Sequence, residues 1–234
     1  MGEAAPSVGA RERVLRLGSP LARGARVAAA AVIGRRPDRF ELGDRRYRYF
    51  VHPYNATWRN ERAVELPPAL ALLGETPGAR VLEVGNVLAH YGHGGHDVVD
   101  KYEPSPAVFS VDIVDFHPDE PYDVIVAIST LEHVGFDEEV RDPGKPRRAV
   151  EHMASLLAPR GRMLVTVPLG YNDALDRDLL ADGLGFDQVR YLKRTSRLGR
   201  WREAPAAAVA GTRYGHPYRW ANAVAVAERR APAS

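Results

Sequence analysis

The chain has 234 residues, of which 45% are hydrophobic and 26% charged, with a formal net charge of +2. That balance fits one globular domain with an appendage, and such weak basicity does not call for a nucleic-acid partner. There is no cysteine, which excludes disulfides, thiolate metal sites and cysteine nucleophiles.

Residues 1–50 hold eleven arginines against five acidic residues. The first ten residues are small and polar and are expected to be disordered. Residues 11–39 interleave Arg with Val, Leu and Ala, the pattern of a solvated amphipathic helix, of a lid over the substrate, or of a weak contact with an anionic surface. The run Ala25–Gly34 is short and broken by Arg26, so it does not read as a signal segment. No apolar run reaches the roughly 18 residues needed to span a bilayer. A cytoplasmic protein is expected. The division is a basic extension over 1–44, partly disordered or a lid, and an α/β domain over 45–234.

Arg45–Val51 alternates like a strand. Pro53–Pro68 is turn-rich and leads into a helix through Ala69–Leu73, ended by Gly74–Gly78. Five apolar strands follow, at Arg80–Val84, His96–Asp100, Val108–Val114, Tyr122–Ile128 and Arg162–Val167. Helices are expected at Pro146–Leu157 and Asp173–Ala181. Asp187–Lys193 and Ala221–Glu228 read as the last two strands. Apolar strands separated by helices predict a doubly wound, mostly parallel sheet covered on both faces.

In such a sheet a ligand sits at the carboxyl ends of the strands, near the point where strand order reverses. Polar and acidic residues gather there. Glu83, Gly85 and Asn86 follow strand one, and Asp100 and Glu103 follow strand two. Asp112 and Asp115 follow strand three. Ser129, Thr130, Glu132 and His133 follow strand four, and Tyr171 and Asn172 follow strand five. His90, His93 and His96 are closely spaced but lack a strong metal-ligand pattern, and no metal is expected.

Here the sequence resembles a family. Val81–Asn86 (VLEVGN) looks like the first motif of class I methyltransferases, which use S-adenosylmethionine (SAM). Tyr122–Val134 (YDVIVAISTLEHV) resembles their fourth-strand segment, and Leu156–Pro168 (LLAPRGRMLVTVP) their helix–turn–strand-five segment. The resemblance covers roughly Tyr47–Arg229. It implies a Rossmann-like, seven-stranded sheet whose last strand pair contains one antiparallel strand, with SAM as the cofactor. The sequence departs from the family where Val87 and Ala89 stand in place of glycines of the first motif.

The candidate cofactor residues are Glu83, Gly85, Asn86, Asp100, Asp112, Ile113 and Ser129. Gly85 lets backbone approach a ligand where a Cβ would clash. Glu83 ends a buried strand, where an unpaired carboxylate is costly. Asp100, 17 residues on, is near the spacing at which an acid meets ribose hydroxyls. Asp112 and Ile113 are candidates for the adenine edge and face.

His133 is the candidate general base, since an ordinary imidazole titrates at about 6.5. Glu132 shares the location. Tyr54, Asn55, Trp58, Arg59, Asn60, Tyr171 and Asn172 suit a polyhydroxylated acceptor. The function expected is methylation of a small molecule in natural-product biosynthesis, on a hydroxyl of a sugar or glycosylated metabolite. An amino-sugar N-methyltransferase, a nucleic-acid methyltransferase and a SAM-binding protein without catalysis are the alternatives. Oligomeric state is left open.

Overall fold

The computed structural model describes residues 38–181 and 183–233. The expected disorder of the first ten residues, and the segment 11–39 up to residue 37, lie outside these described residues.

The chain enters through an antiparallel hairpin, β1 (Arg39–Leu42) and β2 (Arg45–Arg48), which forms its own small sheet. A 3-10 segment at Tyr54–Arg59 leads into helix α1 (Arg62–Glu75). Then come β3 (Val81–Val84), β4 (Asp97–Val99) and β5 (Tyr122–Ile128). Helix α2 (Lys145–Ser155) precedes β6 (Leu157–Pro168), and helix α3 (Asp173–Leu180) precedes β7 (Gln188–Arg194). The chain closes with β8 (Trp201–Ala204), a short helix α4 (Ala206–Val209) and β9 (Ala223–Arg230).

The large sheet has the order β4-β3-β5-β6-β9-β7-β8. The strands β4, β3, β5 and β6 are parallel to their neighbours, whereas β9 runs antiparallel to both β6 and β7, and β8 antiparallel to β7. The chain winds outward from β3 to β4 and then returns to β5 on the other side of β3. The direction of winding therefore reverses at the neighbouring strands β3 and β5, and their carboxyl ends flank a crevice.

The sheet has the seven strands expected, but not the same seven. Val108–Val114 is not a strand. It contributes one parallel bridge, Phe109 to Val99, and then a 3-10 turn at Ile113–Asp115. The Asp112 side chain caps that turn by accepting from the Val114 N–H, so the local hydrogen bond competes with the ladder. The seventh strand is β8, a four-residue edge with too little alternation to read from sequence.

Alternation in β5 shows why the sheet is buried twice. Val124, Val126 and Ile128 face a core formed with Ala63, Leu66 and Leu72 of α1 and with Phe40 and Leu42 of the hairpin. Ile125 and Ala127 face the opposite core, with Val150 and Met153 of α2 and Leu175 and Leu179 of α3. Period-two side chains on a strand covered by helices on both faces give an unbroken apolar run.

Candidate active site

A cavity of about 280 Å³ opens at the carboxyl ends of β3, β4 and β5. Gly85, Asn86, Asp100, Asp112, Ile113, Ser129 and His133, all singled out from the sequence, line it, as do Lys101 and Thr130.

Each of these residues is held by the local fold. Gly85 has φ +85°, and a Cβ there would stand 2.1 Å from Thr130 Oγ1. The Asp100 carboxylate accepts from the backbone N–H groups of Tyr102 (2.8 Å), Glu103 (3.1 Å) and Asn86 (3.3 Å). Asn86 donates to Glu103 at 2.7 Å, and its own Oδ1 is buried with no partner among the described residues. Asp112 Oδ2 takes Lys145 Nζ at 2.5 Å and Lys101 Nζ at 2.9 Å. Burial works to raise the Asp112 carboxyl, but these two ammonium groups hold it below the usual carboxylate range.

Glu83 stands elsewhere. Its Oε1 accepts from the N–H groups of Val87 and Leu88, both at 2.8 Å, and its Oε2 meets His96 Nε2 at 2.9 Å. It is fully buried and braces the loop after β3 from below, away from the cavity lining. The three closely spaced histidines face different partners. His96 meets Glu83, His90 stacks on Tyr54 with ring centroids 4.8 Å apart, and His93 is exposed.

At the rim, His133 Nδ1 lies 2.5 Å from Asp137 Oδ2, and the Tyr171 hydroxyl donates to the same oxygen at 2.7 Å. Burial acts to raise Asp137, but His133 and Tyr171 together hold its carboxyl below the ordinary range. Burial and the bond to Asp137 push the Tyr171 hydroxyl up to about 12. The Tyr171 ring packs edge-on against both His133 and Tyr214.

Behind His133 lies a buried group of acids. Glu132 is 1% exposed, its Oε1 is 3.6 Å from His133 Nε2, and its Oε2 has no partner among the described residues. Burial, aided by the charge of Glu65, pushes Glu132 well above the ordinary carboxylate range. Glu65 accepts from Ser129 Oγ at 2.6 Å and pairs with Arg62 at 2.6 Å. Glu61 accepts from the Tyr214 hydroxyl at 3.3 Å and the Ala221 N–H at 3.1 Å, and burial beside Glu65 raises it as well.

The remaining expected residues divide. Tyr171 joins the rim. Asn172 caps α3 by accepting from the N–H groups of Ala174 and Leu175, and its amide donates to the Glu132 carbonyl. Trp58 is buried in the fold. Tyr54 packs on His90 and Tyr91, while Asn55 and Arg59 line a separate cleft. Asn60 is buried and donates to the Asn55 carbonyl. Sequence reading missed Asp137, Lys101 and the Glu61–Arg62–Glu65 group. The last carried a signal, because Glu61 and Glu65 are four apart at the start of a helix and so share a face.

A family model for the methyltransferase domain matches residues 56–215, more than half of the chain. No curated protein matches. Among solved structures, the N-methyltransferase NodS from Bradyrhizobium japonicum WM9, crystallised with S-adenosyl-l-homocysteine, is 15% identical, covers 68% of this chain and 81% of that one, and has a TM-score of 0.44. The magnesium protoporphyrin IX methyltransferase ChlM from Synechocystis PCC 6803, with bound SAM, is 15% identical over 70% and 75% of the two chains, with a TM-score of 0.40. The CcbJ methyltransferase from Streptomyces caelestis is 16% identical over 70% and 88%, with a TM-score of 0.38. On the family match and the topology of its sheet, the chain belongs to the methyltransferase-domain family and is a class I, SAM-dependent methyltransferase.

Proposed function

We propose that this enzyme methylates a hydroxyl of a small-molecule acceptor, a sugar or glycosylated metabolite, in the cytoplasm and in natural-product biosynthesis. No helix among the described residues is long and apolar enough to cross a membrane. The observation that carries the reading is the His133–Asp137 pair at the rim of the β3–β5 cavity.

The cavity residues fit SAM. Val84, Val99, Ile113 and Val134 offer apolar faces for an adenine, and Asp100 lies at the end of β4, where it suits ribose hydroxyls. The partnerless Asn86 Oδ1 is a buried acceptor in want of a donor, which an amino group supplies. Gly85 keeps the backbone surface open beside them. Glu83 supports this wall by fixing the loop that carries Asn86 and Val87.

When bound, SAM supplies an electrophilic methyl group. With its proton on Nδ1, His133 donates to Asp137 and leaves Nε2, which stands 3.6 Å from Glu132 Oε1 and outside hydrogen-bond distance of it, as the base, and Asp137 stabilises the imidazolium that forms. The acceptor hydroxyl gives its proton to Nε2 as its oxygen attacks. Tyr171 holds Asp137 in place from the other side.

His133→Ala should slow single-turnover methyl transfer at saturating SAM by roughly a hundredfold or more, with SAM affinity nearly unchanged. An unchanged single-turnover rate would remove His133 as the base. A second reading, methylation of an amine such as an amino sugar, is favoured by the Asp137 carboxylate at the rim, which is held below the ordinary range and suits a cationic acceptor. Matched hydroxyl and amine acceptors, assayed with labelled SAM, separate the two.

A further inference from the structure

A second cleft, of about 600 Å³, lies at the same end of the sheet but on the far side of Tyr214 and Glu61. Its walls come from the 3-10 segment at Tyr54–Arg59, the end of β7 and the loop before β9. Four arginines line it, Arg59, Arg194, Arg197 and Arg219, together with Tyr218 and Trp220, and no acidic residue does.

Among the described residues, none of the four arginines has a carboxylate within ion-pair distance. Arg194 is 7% exposed. Its guanidinium donates to three backbone carbonyls, those of Ser196 (3.1 Å), Arg219 (2.7 Å) and Arg197 (3.1 Å), and so ties the two loops together. Burial lowers Arg194 from the ordinary arginine value. Arg219 lies over the Trp220 ring and Arg194 over the Tyr218 ring. Arg59, Arg197 and Arg219 are exposed at the cleft.

The backbone around the cleft is unusual. Five described residues other than glycine have positive φ, and three of them, Asn55, Ala56 and Trp220, line this cleft. Left-handed backbone at non-glycine residues is costly and gathers at ligand sites. Concentrated positive charge with no ion-paired carboxylate in the cleft, and only Glu61 acting on Arg194 from behind it, is likewise costly, and a bound anion relieves it.

We infer that this cleft takes the phosphate group of a phosphorylated acceptor. Guanidinium forks match phosphate oxygens in a bidentate way, and the two aromatic rings suit the body of the molecule. The cleft is linked to the rim of the cofactor cavity by side chains in contact. The backbone beside Trp220 reaches Glu61 through the Ala221 N–H, Glu61 holds Tyr214, and Tyr214 packs on Tyr171 beside His133. An acceptor anchored here extends toward His133 across Tyr214 and Tyr171. The inference rests on the small-molecule methyl-transfer reading above and narrows its acceptor to a phosphorylated one.

The test is calorimetry on the full chain in phosphate-free buffer, with inorganic pyrophosphate, citrate and SAM as separate titrants. Pyrophosphate should bind saturably at one site. The variant carrying Arg59→Gln, Arg197→Gln and Arg219→Gln should lose about tenfold or more in that affinity, with SAM affinity within about twofold of the parent. These three side chains are exposed and hold no loop, and Arg197→Gln alone provides a milder second variant. Absence of saturable pyrophosphate binding overturns the inference, and so does binding undiminished in the triple variant. Citrate binding tighter than pyrophosphate overturns the phosphate assignment. Pyrophosphate binding without SAM binding supports the anion site and sinks methyl transfer, while SAM binding without pyrophosphate binding does the reverse.

Discussion

Gly85 is held at φ +85° with Thr130 directly against the place of its missing Cβ. A side chain here meets two penalties at once, left-handed backbone and a clash inside the cavity wall. Gly85→Ala should therefore lower stability by roughly 1–3 kcal/mol and weaken SAM binding together. Pairing it with Thr130→Gly should restore part of the binding, because the clash is removed and the backbone strain is not. Calorimetry on both variants checks this, and unaltered SAM affinity in folded Gly85→Ala would show that the wall yields freely.

Asp176 of α3 is the other residue whose surroundings make a definite demand. Its Oδ2 accepts from the Gly170 N–H at 2.6 Å, its Oδ1 has no partner among the described residues, and burial, with Asp173 nearby, raises it from 3.8 to about 6. The folded protein thus holds this proton more tightly than the unfolded chain does. The stabilisation is full below the ordinary carboxylate value and is lost as pH rises through about 6. Asp176→Asn keeps an acceptor for Gly170 and removes the titration. Its urea midpoint should match the parent's at pH 4 and exceed it at pH 7.5, and equal shifts at both pH values would count against the assignment.

At the level of elements, α2 is anchored by its first residue. Lys145 is 8% exposed and reaches Asp112 at 2.5 Å and Glu138 at 2.6 Å, two residues that line the cavity at the ends of β3–β5. Removing one partner of a buried ion pair strands the other, at a cost of roughly 3–5 kcal/mol. Lys101 still faces both acids, so Lys145→Met should fall at the low end of that range. It should also weaken SAM binding, since Asp112 loses its anchor. Thermal melts and SAM titration of the variant measure both effects, and a melt within a degree of the parent would mean that Lys101 suffices alone.

Elements with strong periodicity were legible in the sequence. Tyr122–Ile128 is an unbroken apolar run and forms β5 over those residues, and α2 and α3 fall within a few residues of their expected bounds. Val108–Val114 misled because its apolar residues are satisfied by one bridge and a capped turn rather than by a ladder. The helix α1 was legible only in its second half, since Pro67 and Pro68 stand inside it and prolines usually mark a break. Around the cavity, strand ends located Gly85, Asn86, Asp100 and Asp112, because topology places those positions together. Asp137 was invisible, because nothing in the sequence says that the turn after His133 folds back onto it. The orientation of Glu83 was equally hidden, because whether a strand-end carboxylate looks into the crevice or under the loop depends on where His96 lands.

Across the whole molecule, the β1–β2 hairpin is bound to the sheet edge farthest from the cavity at the ends of β3–β5. The buried Tyr49 hydroxyl accepts from the Trp201 N–H at 2.9 Å and donates to the Trp201 carbonyl at 3.4 Å. Gly43 N–H and Arg190 both reach Glu203 of β8. Tyr49→Phe leaves a buried N–H of Trp201 without this acceptor, which costs roughly 1–3 kcal/mol. The melting point should fall while SAM affinity stays put. A matching loss of SAM affinity would show instead that the hairpin and the cavity form one cooperative unit.

The sheet also ends abruptly on both sides. β4 has three residues and β8 four, against seven in β5 and twelve in β6. Exposed backbone groups at a sheet margin invite strand addition by a neighbouring molecule, and stunted margins offer such an intruder little to hold. Phe109 already occupies part of the β4 margin, and the hairpin crowds β8. The architecture that sets an open crevice toward one side of the sheet therefore leaves, among the described residues, little free backbone at either flank for a second copy to extend.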